Sequence, residues 1–146
     1  PHGLKGYTSV EDALEAAKAS GKPVFVDITG HGCVNCREME QRVWSATEVL
    51  NLLGNKSEIV ALYTDDKMKL PEDKWVTTEN GKVLKDLGRV NSYYVREHFG
   101  VNAQPNYTIL SPEGEQLVPV RGYNLDVDGF VEFLEAGLNA AANLRK

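Results

Sequence analysis

The sequence predicts an α/β fold in which a small mixed β-sheet is covered by helices on both faces, all within one domain spanning 1–146. Three observations carry this expectation. Two short, β-branched apolar runs lie in the first half of the chain, separated by helical periodicity. A turn signal near residue 112 separates two further strand-like runs, and amphipathic segments open and close the chain. A length of 146 residues suits one core of ordinary size.

The elements follow in order. "SVEDALEAAKASG" reads as a helix, with Ser9 or Thr8 as its cap, Glu11 and Asp12 favouring its first turn, and Gly21 as its stop. "PVFVDIT" (23–29) is apolar at nearly every position, as in a strand buried on both faces, and Gly30 and Gly32 end it. Beyond Cys33, the residues Met39, Val43, Val49, Leu50 and Leu53 recur at roughly helical spacing, predicting one long helix that Gly54 closes. "SEIVALYTDD" is the second buried strand. A polar, lysine-rich segment over 67–89, with turn signals at Pro71 and Asn80-Gly81, reads as an insertion. "VNSYYVREHFG" is a short helix closed by Gly100, and "NYTIL" and "EQLVPV" are strands joined by the tight turn "SPEG". "LDVDGFVEFLEAGLNAA" closes the chain as an amphipathic helix with Asp126 as its cap and Phe130, Phe133, Leu134 and Leu138 on its buried face.

Composition narrows the function. Sixteen basic against twenty-one acidic residues give a net charge of −5, and no basic stripe is present, which argues against nucleic acid as a partner. No apolar stretch approaches the roughly 20 residues a membrane-spanning helix needs, and no signal-peptide pattern opens the chain. With 42% hydrophobic and 25% charged residues the chain is globular rather than disordered.

The chemistry concentrates in "HGCVNC" (31–36), which holds both cysteines of the chain. A metal clip, an inert structural disulfide and a working dithiol are the alternatives. Zinc needs about four ligands, and beyond the two cysteines only the scattered His2, His31 and His98 are on offer, so no metal site is expected. A dithiol gains a chemical rationale from its place. At the amino end of a helix, free N–H groups and the helix dipole favour a thiolate at Cys33. Cys36, one turn further in, is placed to attack a mixed disulfide and release the partner. Asp27 interrupts an otherwise apolar strand, where a carboxylate is costly unless used or paired. Glu40 sits four residues after Cys36, on the same helical face. Nearby negative charge disfavours a thiolate, so both carboxylates push the dithiol towards a reductant.

"FVDITGHGCVNC", with an aspartate six residues before the first cysteine, resembles the active-site segment of the thioredoxin superfamily. The longer string "KPVFVDITGHGCVNCREMEQRVW", with "LYTDD" and "GVNAQPNYTILSPEGE", resembles the carboxy-terminal periplasmic domain of the DsbD-type thiol:disulfide interchange proteins. The resemblance implies a thioredoxin fold, a periplasmic setting and a monomeric protein-disulfide reductase that needs no cofactor beyond its own dithiol. It implies disulfide-bearing proteins or domains as partners, with a membrane-embedded electron donor in the same parent protein. Cys33 would attack, Cys36 resolve, and Asp27 relay the proton of Cys36, acting with Glu40 to restrain Cys33. Pro105 would be the cis-proline facing the dithiol, and Gln104, His31 and Gly32 would form the docking surface for substrate. Gly32 stands where thioredoxins carry Trp, and Asn106 where they commonly carry Thr. A free-standing reductase, an isomerase or oxidase, and a non-catalytic binding module of the same fold are the alternatives.

Overall fold

The computed structural model describes residues 2–144. Its elements run α1 (Val10–Ser20), β1 (Val24–Thr29), α2 (Val34–Arg42), α3 (Thr47–Lys56), β2 (Glu58–Tyr63), a 3-10 turn at Glu72–Lys74, β3 (Val76–Thr77), β4 (Val83–Leu84), α4 (Leu87–Phe99), β5 (Asn106–Leu110) and α5 (Val127–Leu144). Three strands form the central sheet in the order β2-β1-β5. The central strand, β1, pairs in parallel with β2 and antiparallel with β5, so the sheet is mixed as the sequence predicts.

Every residue of β1 is buried, which fits a strand with neighbours on both edges and helices on both faces. The pleat sends alternate side chains to opposite sides. Val24, Val26 and Ile28 join Ala13 and Ala17 of α1 and Val95 of α4 in one apolar cluster. Phe25 enters the other, with Met39 of α2, Val49 and Leu53 of α3, Tyr107 and Ile109 of β5, and Phe130 and Leu134 of α5. By the same alternation Asp27 and Thr29 point to the α2 side. Phe25 stacks on Tyr107 at 5.5 Å between centroids and meets Phe130 edge-on at 6.1 Å. Burying aromatic and aliphatic groups of this size stabilises the fold by roughly 1.5–3 kcal/mol each.

The first helix is capped as its sequence dictates. Ser9 Oγ accepts the Asp12 N–H, and Gly21, at φ 77°, ends the helix in the left-handed region that a glycine tolerates. The single long helix expected after Cys33 is instead two, α2 and α3, separated at 43–46. Ser45 donates its hydroxyl to the Gln41 carbonyl, while Val43 and Trp44 are both buried. The chain turns here and seats Trp44 edge-on against Phe25. Gly54 does not end α3, which runs on to Lys56; a Cβ there would stand 3.3 Å from Leu4.

Two further expectations change. "EQLVPV" forms no continuous strand: it meets β5 through a single bridge at Leu110–Gln116, and Arg121 just after it through another to Tyr107. Pro119, which has no N–H, lies between them. The turn itself holds, with the Ser111 N–H on the Glu115 carbonyl and Gly114 at φ 93°. The segment 67–89 is not wholly an insertion, because α4 begins at Leu87, capped by Asp86, which accepts the Arg89 N–H. What remains is a small β3–β4 hairpin and the 3-10 turn beside it.

Gly88 is the closest approach of α4 to the end of β2. A Cβ there would stand 2.7 Å from Asp66 O, 2.8 Å from Asp66 N and 2.9 Å from Thr64 O, all backbone atoms that cannot rotate away. Gly88→Ala should therefore lower stability by about 1–3 kcal/mol despite the better helix propensity of Ala. Urea unfolding checks this as a lower midpoint at unchanged slope.

Candidate functional site

Two loops and one turn converge where β1 and β2 end. The parallel pairing brings Thr29 beside Tyr63, and the Thr64 N–H donates to the Thr29 carbonyl at 3.0 Å, carrying the ladder one step past the strands. On the other edge of β1, Ile28 lies opposite Asn106, so Pro105 falls beside the segment that leads from Thr29 into the cysteines. The Gln104–Pro105 peptide is cis. The Thr64 hydroxyl lies 3.2 Å from both the Thr29 carbonyl and the Gln104 side-chain oxygen, tying the proline loop to the end of the sheet.

Cys33 and Cys36 are joined in a disulfide with their Cα atoms 5.2 Å apart. Cys33 is the N-cap of α2: its backbone is extended and its Sγ accepts the Cys36 N–H at 3.1 Å. This sulfur thus occupies the place where a helix start offers unpaired donors. The two cysteines differ sharply in exposure, with Cys33 partly open and Cys36 only 1% exposed. Val34, between them, is 79% exposed, and Gly32 and Asn35 are also open.

Beneath α2 lies a charged cluster. Asp27 is 5% exposed and Glu40 8% exposed, both facing the seam between β1 and α2. Burial pushes the Asp27 carboxyl up to about 8, with Glu40 adding to the rise and Arg37 opposing it. Glu40 pairs with Arg37 at 3.3 Å. The Arg37 guanidinium also donates to Thr29 Oγ1 at 2.9 Å and to the Gly30 carbonyl at 3.2 Å, so it fastens the first turns of α2 to the exit of β1. His2 Nε2 meets the Glu40 carbonyl at 2.6 Å. Tyr107, directly opposite Asp27 in register, has its hydroxyl pushed up by burial first and by Asp27 next.

Of the residues the sequence singled out, Cys33, Cys36, Asp27, Glu40, Gln104, Pro105, His31 and Gly32 all lie at this end of the sheet. Sequence reasoning missed Arg37 and the pair Asp65–Asp66. Asp65 Oδ1 accepts the His31 N–H at 2.8 Å and its Oδ2 accepts the Gly32 N–H at 2.9 Å. His31 stacks on Tyr63 at 4.0 Å between centroids, and its Nε2 lies 2.9 Å from Asp66 Oδ2. The signal was present in "LYTDD", because the carboxyl ends of neighbouring parallel strands are where loops meet. Trp75 keeps to the hairpin region, its Nε1–H donating to the Leu70 carbonyl and its ring lying under Lys85. Among the described residues no group of three or more His, Cys, Asp or Glu converges as a metal site requires. No helix among them is long and apolar enough to cross a membrane.

The chain matches the thioredoxin-like family over residues 6–112 and belongs to it. Its Cys33–Cys36 pair is the Cys-X-X-Cys pair of thiol:disulfide oxidoreductases of that family. Among curated proteins it resembles the thiol:disulfide interchange protein DsbD of Ralstonia nicotianae, 31% identical over 71 residues, or 46% of this chain and 12% of that protein. DsbD of Vibrio cholerae is 34% identical over 70 residues, or 48% of this chain and 11% of the relative. The matched stretch is thus about a tenth of the length of these relatives. Among solved structures, a thioredoxin from Thermus thermophilus superposes with a TM-score of 0.68 at 21% identity, over 98% of this chain and 93% of that one. The oxidised carboxy-terminal domain of Neisseria meningitidis DsbD does so at 0.60 and 15% identity, over 91% and 99%. At such identities the likeness speaks for the fold alone.

The neutral Asp27 has a measurable signature. Its carboxyl titrates near 8 when folded and near 3.9 in an unfolded chain. Below pH 3 both states hold the proton and stability is unaffected. Between pH 4 and 8 only the unfolded chain releases it, so stability falls as pH rises. Asp27→Asn removes this loss. Its advantage over the wild type should grow by roughly 1.4 kcal/mol per pH unit, or about 4 kcal/mol from pH 5 to pH 8. Urea unfolding of both oxidised proteins at several pH values checks this, and a constant gap contradicts a protonated Asp27.

Proposed function

We propose that this thioredoxin-like chain is a protein-disulfide reductant, passing two electrons from its dithiol to disulfides of partner proteins or domains. The observation that carries the reading is the unequal pair: Cys33 is partly open at a helix start, while Cys36 is sealed behind it. In the reduced protein the Cys33 thiolate attacks one sulfur of the partner disulfide. A Cys33–partner disulfide forms and the partner's other sulfur leaves as a thiolate. Cys36 then loses its proton and attacks Cys33 Sγ. The Cys33–Cys36 disulfide forms, the partner's second sulfur leaves, and the partner ends as a dithiol.

Asp27 supports the second step. A buried carboxyl that titrates near 8 exchanges protons readily with a thiol whose ordinary value is about 8.5. Asp27 and Cys36 both face the seam between β1 and α2, so Asp27, in the ionised form that a minority of molecules hold at neutral pH, is the candidate acceptor for the Cys36 proton. The buried Glu40 carboxylate also opposes the dipole of α2, making a Cys33 thiolate less favoured and the oxidised form relatively easier to reach. This favours donation of electrons over their capture. Gln104, His31 and Gly32 are exposed beside the buried Pro105, and an extended partner segment would lie across them. The same family kinship points to the bacterial periplasm and to a membrane-embedded donor domain that restores the dithiol, with no further cofactor.

A Cys36→Ala variant should accumulate a stable mixed disulfide through Cys33, visible by non-reducing electrophoresis and mass spectrometry. Cys33→Ser should reduce insulin disulfides at less than about a hundredth of the wild-type rate, because the second cysteine is buried. The wild-type reduction potential should lie near that of thioredoxin, about −270 mV. A value near −120 mV would assign the dithiol to an oxidant instead. No exchange with any dithiol would leave a binding module.

A further inference from the structure

Asp65 has no part in the scheme above, yet it is the side chain most directly attached to the loop that carries Cys33. It follows immediately on Thr64, whose N–H extends the β1–β2 ladder, so its backbone is fixed by the sheet. Its two carboxylate oxygens are each occupied by a backbone N–H, from His31 and Gly32, the two residues directly ahead of Cys33. The fit is close: a Cβ on Gly30 would stand 3.2 Å from Asp65 Oδ2, and one on Gly32 would stand 3.7 Å away. Those bonds, Gly32 first and His31 next, hold the Asp65 carboxyl below the usual carboxylate range, so it is charged at neutral pH where Asp27 is not.

We propose that Asp65 is a positioning residue for the dithiol: its carboxylate, seated on the His31 and Gly32 N–H groups, fixes the approach to α2 and makes Cys33 hold its proton more tightly. The inference rests on the dithiol reading and adds a fixed charge that acts on Cys33. The arrangement is opposite in kind to the cluster beneath α2. There the acid is buried and near-neutral, and its charge can change during the reaction. Here the acid is exposed, ionised in both redox states, and tied to the backbone, so its influence is constant. The other titratable and charged groups around Cys33 are Asp66 and His31 on the same turn and loop, Arg37, Glu38 and Glu40 from α2, and Asp27 from β1. Asp66 is taken up by His31 and the Met68 N–H, and Glu38 by Arg42 and the Tyr123 hydroxyl, which leaves Asp65 as the carboxylate bonded to the Cys33 loop backbone.

Asp65→Asn tests this in the full chain. It keeps the size, removes the charge, and turns an amide towards one of the two N–H donors. The reduced variant and wild type are alkylated with iodoacetamide across pH, and each is equilibrated with glutathione. The Cys33 titration midpoint should fall in the variant, so that Cys33 reacts about threefold to tenfold faster at neutral pH. The redox equilibrium should move towards the dithiol by a similar factor. Asp65→Glu, which keeps the charge, should stay within about twofold of wild type. A purely structural Asp65 would cost both variants stability and leave the Cys33 midpoint where it was, and that result overturns the proposal. A second readout needs no variant. In reduced wild-type protein the His31 and Gly32 amide resonances should follow the Cys33 titration, and their silence would equally overturn it. If wild-type Cys33 itself is unreactive, the dithiol reading falls; if it reacts normally and Asp65→Asn matches it, only this inference falls.

Discussion

One turn of helix holds two sulfurs, and only one of them reaches water. That inequality is the constraint on which the rest of the molecule depends. It requires α2 to start at a fixed point with Cys33 outside its first turn and Cys36 inside it. It also requires the face of α2 carrying Cys36, Met39 and Glu40 to be pressed against a strand buried on both sides. The aromatic packing of Phe25, Trp44, Tyr107 and Phe130 supplies that pressure from below. Arg37 supplies the fastening from the side, since its guanidinium spans Thr29, Gly30 and Glu40.

The same packing explains why the acids near the dithiol behave differently. Asp27 is held where water cannot stabilise its charge, so its carboxyl titrates near 8. Glu40 is buried almost as deeply but has a guanidinium within 3.3 Å. Asp65 sits at the surface and draws its stabilisation from two backbone N–H groups. Three carboxyl groups thus surround one redox pair, each held by different partners. In this arrangement the central strand is both scaffold and chemical component.

Much of this was legible in the sequence because the signals were local. The Ser9 cap, the Gly21 stop, the apolar runs of β1 and β2 and the "SPEG" turn each depend on a few adjacent residues, and each stands where local chemistry puts it. The dithiol and Asp27 stood out for the same reason, one by spacing and the other by contrast with its neighbours. The break between α2 and α3 was hidden because Val43 and Leu50 keep a helical rhythm across it, while the Trp44 contact made there is with the distant Phe25. "EQLVPV" has strand-like composition but lacks an N–H at Pro119, and pairing counts more than composition. Asp65 and Asp66 carried only the weak signal of lying at the end of a parallel strand, and Arg37 carried none, because their partners lie about seven to thirty-five positions away and meet them only through the sheet register. Charged residues in such positions look in sequence like any solvated loop or helix surface.

The most direct measurement of the central claim is the alkylation rate of each cysteine separately, by peptide mass spectrometry on the reduced, folded protein. Cys33 should be modified at least about tenfold faster than Cys36, with the gap closing in denaturant, because burial is what silences the second sulfur. Equal rates in the folded state, or faster modification of Cys36, would contradict the account.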